Sequence, residues 1–224
     1  MHRTSSTESS FAHGAAGQIE IQVDLPAVVR GIALVCHPHP LFGGTNHNKV
    51  VTTLTRSFRE LGFVALRPNF RGVGKSEGQH DHGVGETDDM LAVLDWARAR
   101  WGESLPLVLG GFSFGAYVQT RLTGRLAAAG AQPPRHLVLV GMAAGMTEGV
   151  GGGSSRRYET PAIPGHIPTL IIHGETDDTV SLSNVLDWAR PQRLPVIVVP
   201  GADHFFHGRL GLIRELVGRN VAPV

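Results

Sequence analysis

The chain is expected to fold as an α/β domain, with a mostly parallel central sheet and helices on both faces. Two observations predict this. From about residue 30 onward, short aliphatic or β-branched runs alternate with segments whose apolar residues recur every three or four positions. Each of those intervening segments offers one apolar face for burial against a sheet.

The elements follow in chain order. Residues 1–17, MHRTSSTESSFAHGAAG, are polar and serine-rich and lack an apolar core of the secretory type, so they are read as a flexible tail ahead of a single domain over 18–224. Segment 18–24 alternates apolar and polar residues and reads as a half-exposed antiparallel edge strand. Buried strands are expected at 30–36, 62–67, 105–110, 136–141, 168–173 and 194–199. Helices are expected where Val51, Leu54, Phe58 and Leu61 share a face, and likewise Met90, Leu94 and Ala97, then Val118, Leu122 and Leu126, then Leu210, Ile213 and Val217. The third of these should stop at Gly130, with Pro133 and Pro134 beyond it, and a helix from Ser181 should stop before Pro191. Residues 142–166 form a Gly/Ser/Pro-rich connection, read as a long loop within the domain because strands of the same kind continue after it.

Composition narrows the function. With 20 basic and 19 acidic residues the formal net charge is +1, and no basic stripe exists to hold a nucleic acid or a membrane surface. The single cysteine, Cys36, sits in the apolar run GIALVC, which excludes an intramolecular disulfide and a thiolate metal cluster. No apolar run approaches the length of a membrane helix. A soluble, cytoplasmic protein is expected, with no cofactor and no metal.

Chemistry enters at Gly111-Phe112-Ser113-Phe114-Gly115, a G-x-S-x-G that follows a strand and opens a helix. A sharp turn there lifts a serine hydroxyl clear of the sheet, and the helix N-terminus behind it aims free N–H groups at a developing oxyanion. A serine needs a base, and a base needs an orienting carboxylate. His204, in GADHFFHG, follows the strand at 194–199, at the carboxyl edge where sites of such sheets collect. His207 lies a turn further on. HGETDDTV supplies the acid after the strand at 168–173, and Asp177 and Asp178 both qualify.

The segment NFRGVGKSEG contains Gly-Val-Gly-Lys-Ser, the second half of a P-loop. Asn69 stands where the pattern needs its first glycine, and the Glu-Gly-Gln-His that follows Ser76 cannot start a helix, so nucleotide binding is excluded. Gly72 and Gly74 are expected in tight or positive-φ turns, and Arg71 is expected to pair with Glu86, Asp88 or Asp89. A metal held by His37 and His39 lacks a third ligand at recognisable spacing.

The order Ser113, Asp177, His204, together with CHPHPLFGG, NFRGVGKSEG, GFSFGAY, HGETDDTV and DHFFHG, resembles the α/β-hydrolases, and within them the small bacterial serine hydrolases with almost no cap domain. The resemblance runs from about residue 18 to the C-terminus. It implies that Asp177, followed two residues later by Val180, is the acid. It also implies that CHPHPLFGG carries one oxyanion-hole N–H and Phe114 the other. Pro38 and Pro40 have none to give, so His39 is the expected donor and Leu41 the second choice. The connection 142–167, where a cap would be inserted, is too short for a helical lid. The pocket should then be open, with walls from Leu41, Phe42, Phe114, Met142, Met146 and Phe205.

The expected activity is that of a carboxylesterase acting on a small-molecule, short-chain acyl ester through an acyl-enzyme on Ser113. Thioester or peptide hydrolysis by the same residues, and a sensory or binding protein on the same scaffold, are the alternatives.

Overall fold

The computed structural model of the chain describes residues 6–148 and 155–224. Its sheet has the order β1-β2-β4-β3-β5-β6-β9-β10. The strands are β1 (Ser6–Gly14), β2 (Gly17–Leu25), β3 (Gly31–Cys36), β4 (Phe63–Pro68), β5 (Leu107–Phe112), β6 (His136–Val140), β9 (Thr169–Gly174) and β10 (Val196–Val199). β2 pairs antiparallel with β1 and β4, and every pairing from β4 to β10 is parallel. This is the α/β-hydrolase architecture expected from the sequence.

Among the described residues five helices cover the sheet: α1 (Lys49–Glu60), α2 (Val84–Trp101), α3 (Phe114–Ala128), α4 (Leu182–Ala189) and α5 (Leu210–Asn220). Buried side chains fall into two clusters because successive residues of a strand face opposite sides. Leu34, Leu66 and Leu109 pack with Met90, Val118 and Leu122 under α2 and α3, whereas Ala33, Val35 and Val108 pack with Leu54, Phe58, Ile213 and Val217 under α1 and α5. Gln119, fully buried in α3, fixes that helix to the sheet, its Nε2 donating to Leu34 O at 2.8 Å and Gly110 O at 2.9 Å. Hydrogen bonds of this kind contribute about 1 kcal/mol each.

Three readings are corrected. Residues 6–14 are not a tail but β1, paired in register from Ser6 with Leu25 to Gly14 with Gly17. Only Ala12 of this strand is buried, and so polar a pattern carries no strand signal. Exposed polar residues suit an edge strand, since they discourage pairing with another chain. β2 is therefore interior, and the antiparallel edge is β1; residues 1–5 lie outside the described residues. The connection after β6 is not all loop either: β7 (Gly145–Thr147) and β8 (Arg156–Tyr158) form a small antiparallel ladder. The GVGGGS stretch between them, 149–154, lies outside the described residues. No helical lid is built in this connection among the described residues.

Candidate active site

β5 runs to Phe112, two residues further than expected, and delivers Ser113 directly to the start of α3. Ser113 has φ 55° and ψ −119°, a backbone conformation that costs a non-glycine residue roughly 1–3 kcal/mol. The turn is held by the Ser113 N–H donating to Val140 O at 2.9 Å, and by its own carbonyl accepting from Ala116 and Ala143. The flanking glycines answer to sterics. A Cβ on Gly111 would stand 2.5 Å from Ala116 N, and one on Gly115 would stand 2.3 Å from Cys36 O, both backbone atoms that cannot swing aside.

Loops after β9 and β10 bring two partners to this hydroxyl. His204 Nε2 lies 3.0 Å from Ser113 Oγ, and His204 Nδ1 lies 2.7 Å from Asp177 Oδ2. Asp177 Oδ1 accepts from the N–H groups of Val180 at 2.7 Å and Thr179 at 3.0 Å, so three donors fix the carboxylate. Phe112 and Phe205 flank the His204 ring at centroid distances of 4.9 and 5.2 Å, and His204 is only 2 % exposed. Asp178, one residue on, is exposed and turns away to Thr179 Oγ1. His207 is exposed and paired with Asp203. The structure thus joins Ser113, His204 and Asp177 in one hydrogen-bonded chain, with Ser113 in position to donate to a bare Nε2 and His204 Nδ1 donating to the carboxylate.

The loop after β3 supplies the other wall. His37 is fully buried and donates from Nδ1 to Pro38 O at 2.7 Å while Nε2 accepts from Phe70 N–H at 2.9 Å. Burial pushes it down to about 3, so it is a neutral strut between this loop and NFRGVGKSEG, with neither nitrogen left for a metal. His39 is pushed down to about 4 by burial and by His80, Arg156 and His82 nearby. Its Nδ1 accepts from Leu41 N–H at 3.2 Å, which engages the second-choice oxyanion donor. The N–H groups of His39 and Phe114 donate to no protein acceptor among the described residues; His39 lines the same cavity as Ser113, and Phe114 is the next residue in the chain.

NFRGVGKSEG is a structural turn. Gly72 and Gly74 have φ of 76° and 59°, and a Cβ on Gly74 would reach 2.4 Å from Glu20 Oε2. Asn69, whose identity broke the P-loop pattern, accepts from Asn46 N–H and donates to Glu20. Ser76 Oγ donates to Asn69 O and accepts from Glu20 N–H, and the first helix after it begins only at Val84. Of the three candidate partners for Arg71, Asp89 takes it, in a two-pronged pair at 2.8 Å.

A cavity of about 70 Å³ opens over Ser113 and His204. Phe42 and Phe205 line it as expected. The other expected walls are corrected. Leu41 sits on the outside of a short 3₁₀ turn and is 68 % exposed. Met142 is fully buried in the core under α2 and α3, and Phe114 is packed at 5.5 Å against Phe70 rather than facing the cavity. Strand alternation explains Met146: in β7 the neighbouring Thr147 turns into the cavity, which leaves Met146 in solvent. Among the lining residues that sequence reasoning missed are Asn48, Ala143, Thr147, Glu148 and Tyr158. Tyr158 was the detectable one, an aromatic residue in a Gly/Ser/Arg-rich stretch. A larger groove of about 460 Å³ between α1 and α5 is lined by Thr52, Thr53 and Thr55 but by no histidine that could activate them.

Known proteins share the fold. An α/β serine hydrolase homologue from Coxiella burnetii superposes with a TM-score of 0.81 at 37 % identity, over 98 % of this chain and 100 % of that one. XC6422 from Xanthomonas campestris, a serine hydrolase without a lid, gives 0.80 at 36 % identity over 99 % and 96 %. Est1E from Butyrivibrio proteoclasticus, seen with ferulic acid bound, shares the fold at 17 % identity, with a TM-score of 0.76 over 94 % and 96 %. No helix among the described residues is long and apolar enough to cross a membrane. The profile of the X-Pro dipeptidyl-peptidase family, S15, matches residues 16–151, a span that carries Ser113 and ends before Asp177 and His204. The chain belongs to that family, and within the α/β serine hydrolases it is one of the small members without a lid.

Proposed function

We propose that the chain is a carboxylesterase of short acyl esters. The observation that carries this reading is the buried chain from Ser113 through His204 to Asp177, at 3.0 and 2.7 Å, opening into a small cavity. Ser113 attacks the acyl carbon as its proton passes to His204 Nε2, and Asp177 accepts from Nδ1–H, holds the imidazole in that tautomer and stabilises the imidazolium. The N–H groups of His39 and Phe114 receive the oxyanion. His204 then protonates the leaving alcohol, and a water activated by the same imidazole releases the acid from Ser113.

The small size of the cavity, about 70 Å³, supports an ester with a short acyl side. An Xaa-Pro dipeptidyl group, which the family's description names, is much larger than a short acyl chain, and this favours the ester over the peptide. The buried thiol of Cys36, pushed well above the ordinary thiol range by burial, is compatible with a cytoplasmic setting. The test is turnover of p-nitrophenyl acetate, butyrate and octanoate beside an Xaa-Pro p-nitroanilide. Hydrolysis of the two short esters that disappears in Ser113→Ala is expected. Equal turnover by Ser113→Ala, or faster cleavage of the anilide than of any ester, would overturn the reading.

A further inference from the structure

One buried titratable group beside the site has no role in the mechanism above. His173, in the last turn of β9, is fully buried. Its Nε2 lies 2.9 Å from Val180 O and 3.5 Å from Asp177 Oδ2. A carbonyl oxygen only accepts, so Nε2 carries the proton. Nδ1 has no partner among the described residues and is therefore the bare nitrogen of a neutral ring. Burial disfavours the cation and pushes this histidine below its ordinary range, although Asp177 and the Val180 carbonyl pull the other way.

The loop that carries Asp177 is thereby clasped from two sides. Val180 donates its N–H to Asp177 Oδ1, and its carbonyl receives the His173 proton. Two imidazoles address the same carboxylate oxygen, His204 closely and His173 at longer range.

We propose that His173 is a positioning residue for Asp177: its Nε2–H, shared between Val180 O and Asp177 Oδ2, fixes the acid loop and draws off part of the charge that Asp177 presents to His204. The proposal rests on the esterase reading and adds a residue to it. The charged or titratable groups that face His173 are Asp177, from its own loop, and His204, from the loop after β10; no other such group acts on it among the described residues. Loss of the His173 donor leaves more negative charge on Oδ2, so the His204 imidazolium is held more firmly and the acid limb of the kcat/KM profile moves to higher pH. Loss of the clasp also lets the carboxylate swing, which lowers kcat more than it changes KM.

The test compares His173→Leu, without a donor, and His173→Gln, which keeps an amide N–H, across pH 5–9 on p-nitrophenyl acetate, with melting temperatures alongside. For His173→Leu a fall in kcat of about tenfold is expected, with KM within about twofold and the acid limb raised by several tenths of a pH unit. His173→Gln should recover most of both. His173→Asn, too short to reach Oδ2, replaces the leucine variant if that one does not fold. The low-field proton resonance of the His204–Asp177 hydrogen bond reads the same contact without turnover, and it should move in the variants that lack the donor. An unmoved resonance and acid limb in a folded donor-less variant, or equal losses in the leucine and glutamine variants, overturns the proposal. A wild-type protein that is inert to esters while the resonance still responds would instead sink the esterase reading and leave the positioning role standing.

Discussion

Replacing Asp177 by asparagine discriminates sharply, because the structure dictates which way the new amide must face. Oδ1 accepts two backbone N–H groups, from Val180 at 2.7 Å and Thr179 at 3.0 Å. Turning the NH₂ group of asparagine toward them would set donor against donor and leave two buried N–H groups unpaired, a cost of about 1–3 kcal/mol each. The carbonyl oxygen therefore stays at the Oδ1 position, and the NH₂ takes the place of Oδ2, facing His204 Nδ1. That nitrogen must then accept, so the proton moves to Nε2, which now points an N–H at Ser113 Oγ and cannot act as base. The side chain barely changes size, so stability should hold within about 1–2 kcal/mol while kcat on p-nitrophenyl acetate falls by about 10³–10⁴. Asp178→Asn is the matched control, since its carboxylate is exposed and meets only Thr179 Oγ1; its rate should stay within about twofold. Steady-state rates with melting curves on both variants decide it. An Asp177→Asn protein that keeps more than a tenth of the wild-type kcat, or an Asp178→Asn protein that loses a hundredfold, refutes the reasoning.

Two further expectations follow from neighbouring residues. Tyr158 lines the cavity together with Phe42, so Tyr158→Ala should raise the octanoate-to-acetate ratio of kcat/KM about tenfold, the worth of one or two methylenes; an unchanged ratio across an ester series would remove Tyr158 from the wall. His37 is held at about 3, below its unfolded value near 6.5, so the folded state binds fewer protons than the unfolded one between those values. Its stabilising contribution is complete above the unfolded value and is lost as pH falls toward the folded one. Between pH 6 and 4 the wild-type stability should therefore drop more steeply than that of His37→Asn, by up to about 1.4 kcal/mol per pH unit, as urea unfolding at each pH would report. Parallel slopes would mean that His37 is protonated in the fold.

The sequence made the parallel strands and the Ser113 turn legible because both are local: a run of β-branched residues, or a serine between two glycines, owes its conformation to its own neighbours. Order along the chain and placement at strand ends pointed to His204 and to the Asp177–Asp178 pair, and the family resemblance singled out Asp177. The β1 strand was not legible, since Ser6–Gly14 gains its structure from pairing with β2 and buries a single side chain. Of the six expected cavity walls two hold, for a related reason. Phe42 and Phe205 lie next to motif residues, whereas the fate of Met146 turned on the pleat of a three-residue strand whose partner, β8, lies nine residues away. His173 was invisible because burial against Val180 O and Asp177, rather than any spacing, sets its environment.

The most direct measurement is the mass of the protein after brief mixing with a fluorophosphonate or with p-nitrophenyl butyrate, followed by peptide mapping. A single adduct on Ser113, formed by the wild type, slowed by about 10³-fold in Asp177→Asn and absent in Ser113→Ala, is the predicted result. No adduct at all, or one on a residue other than Ser113, would contradict the account.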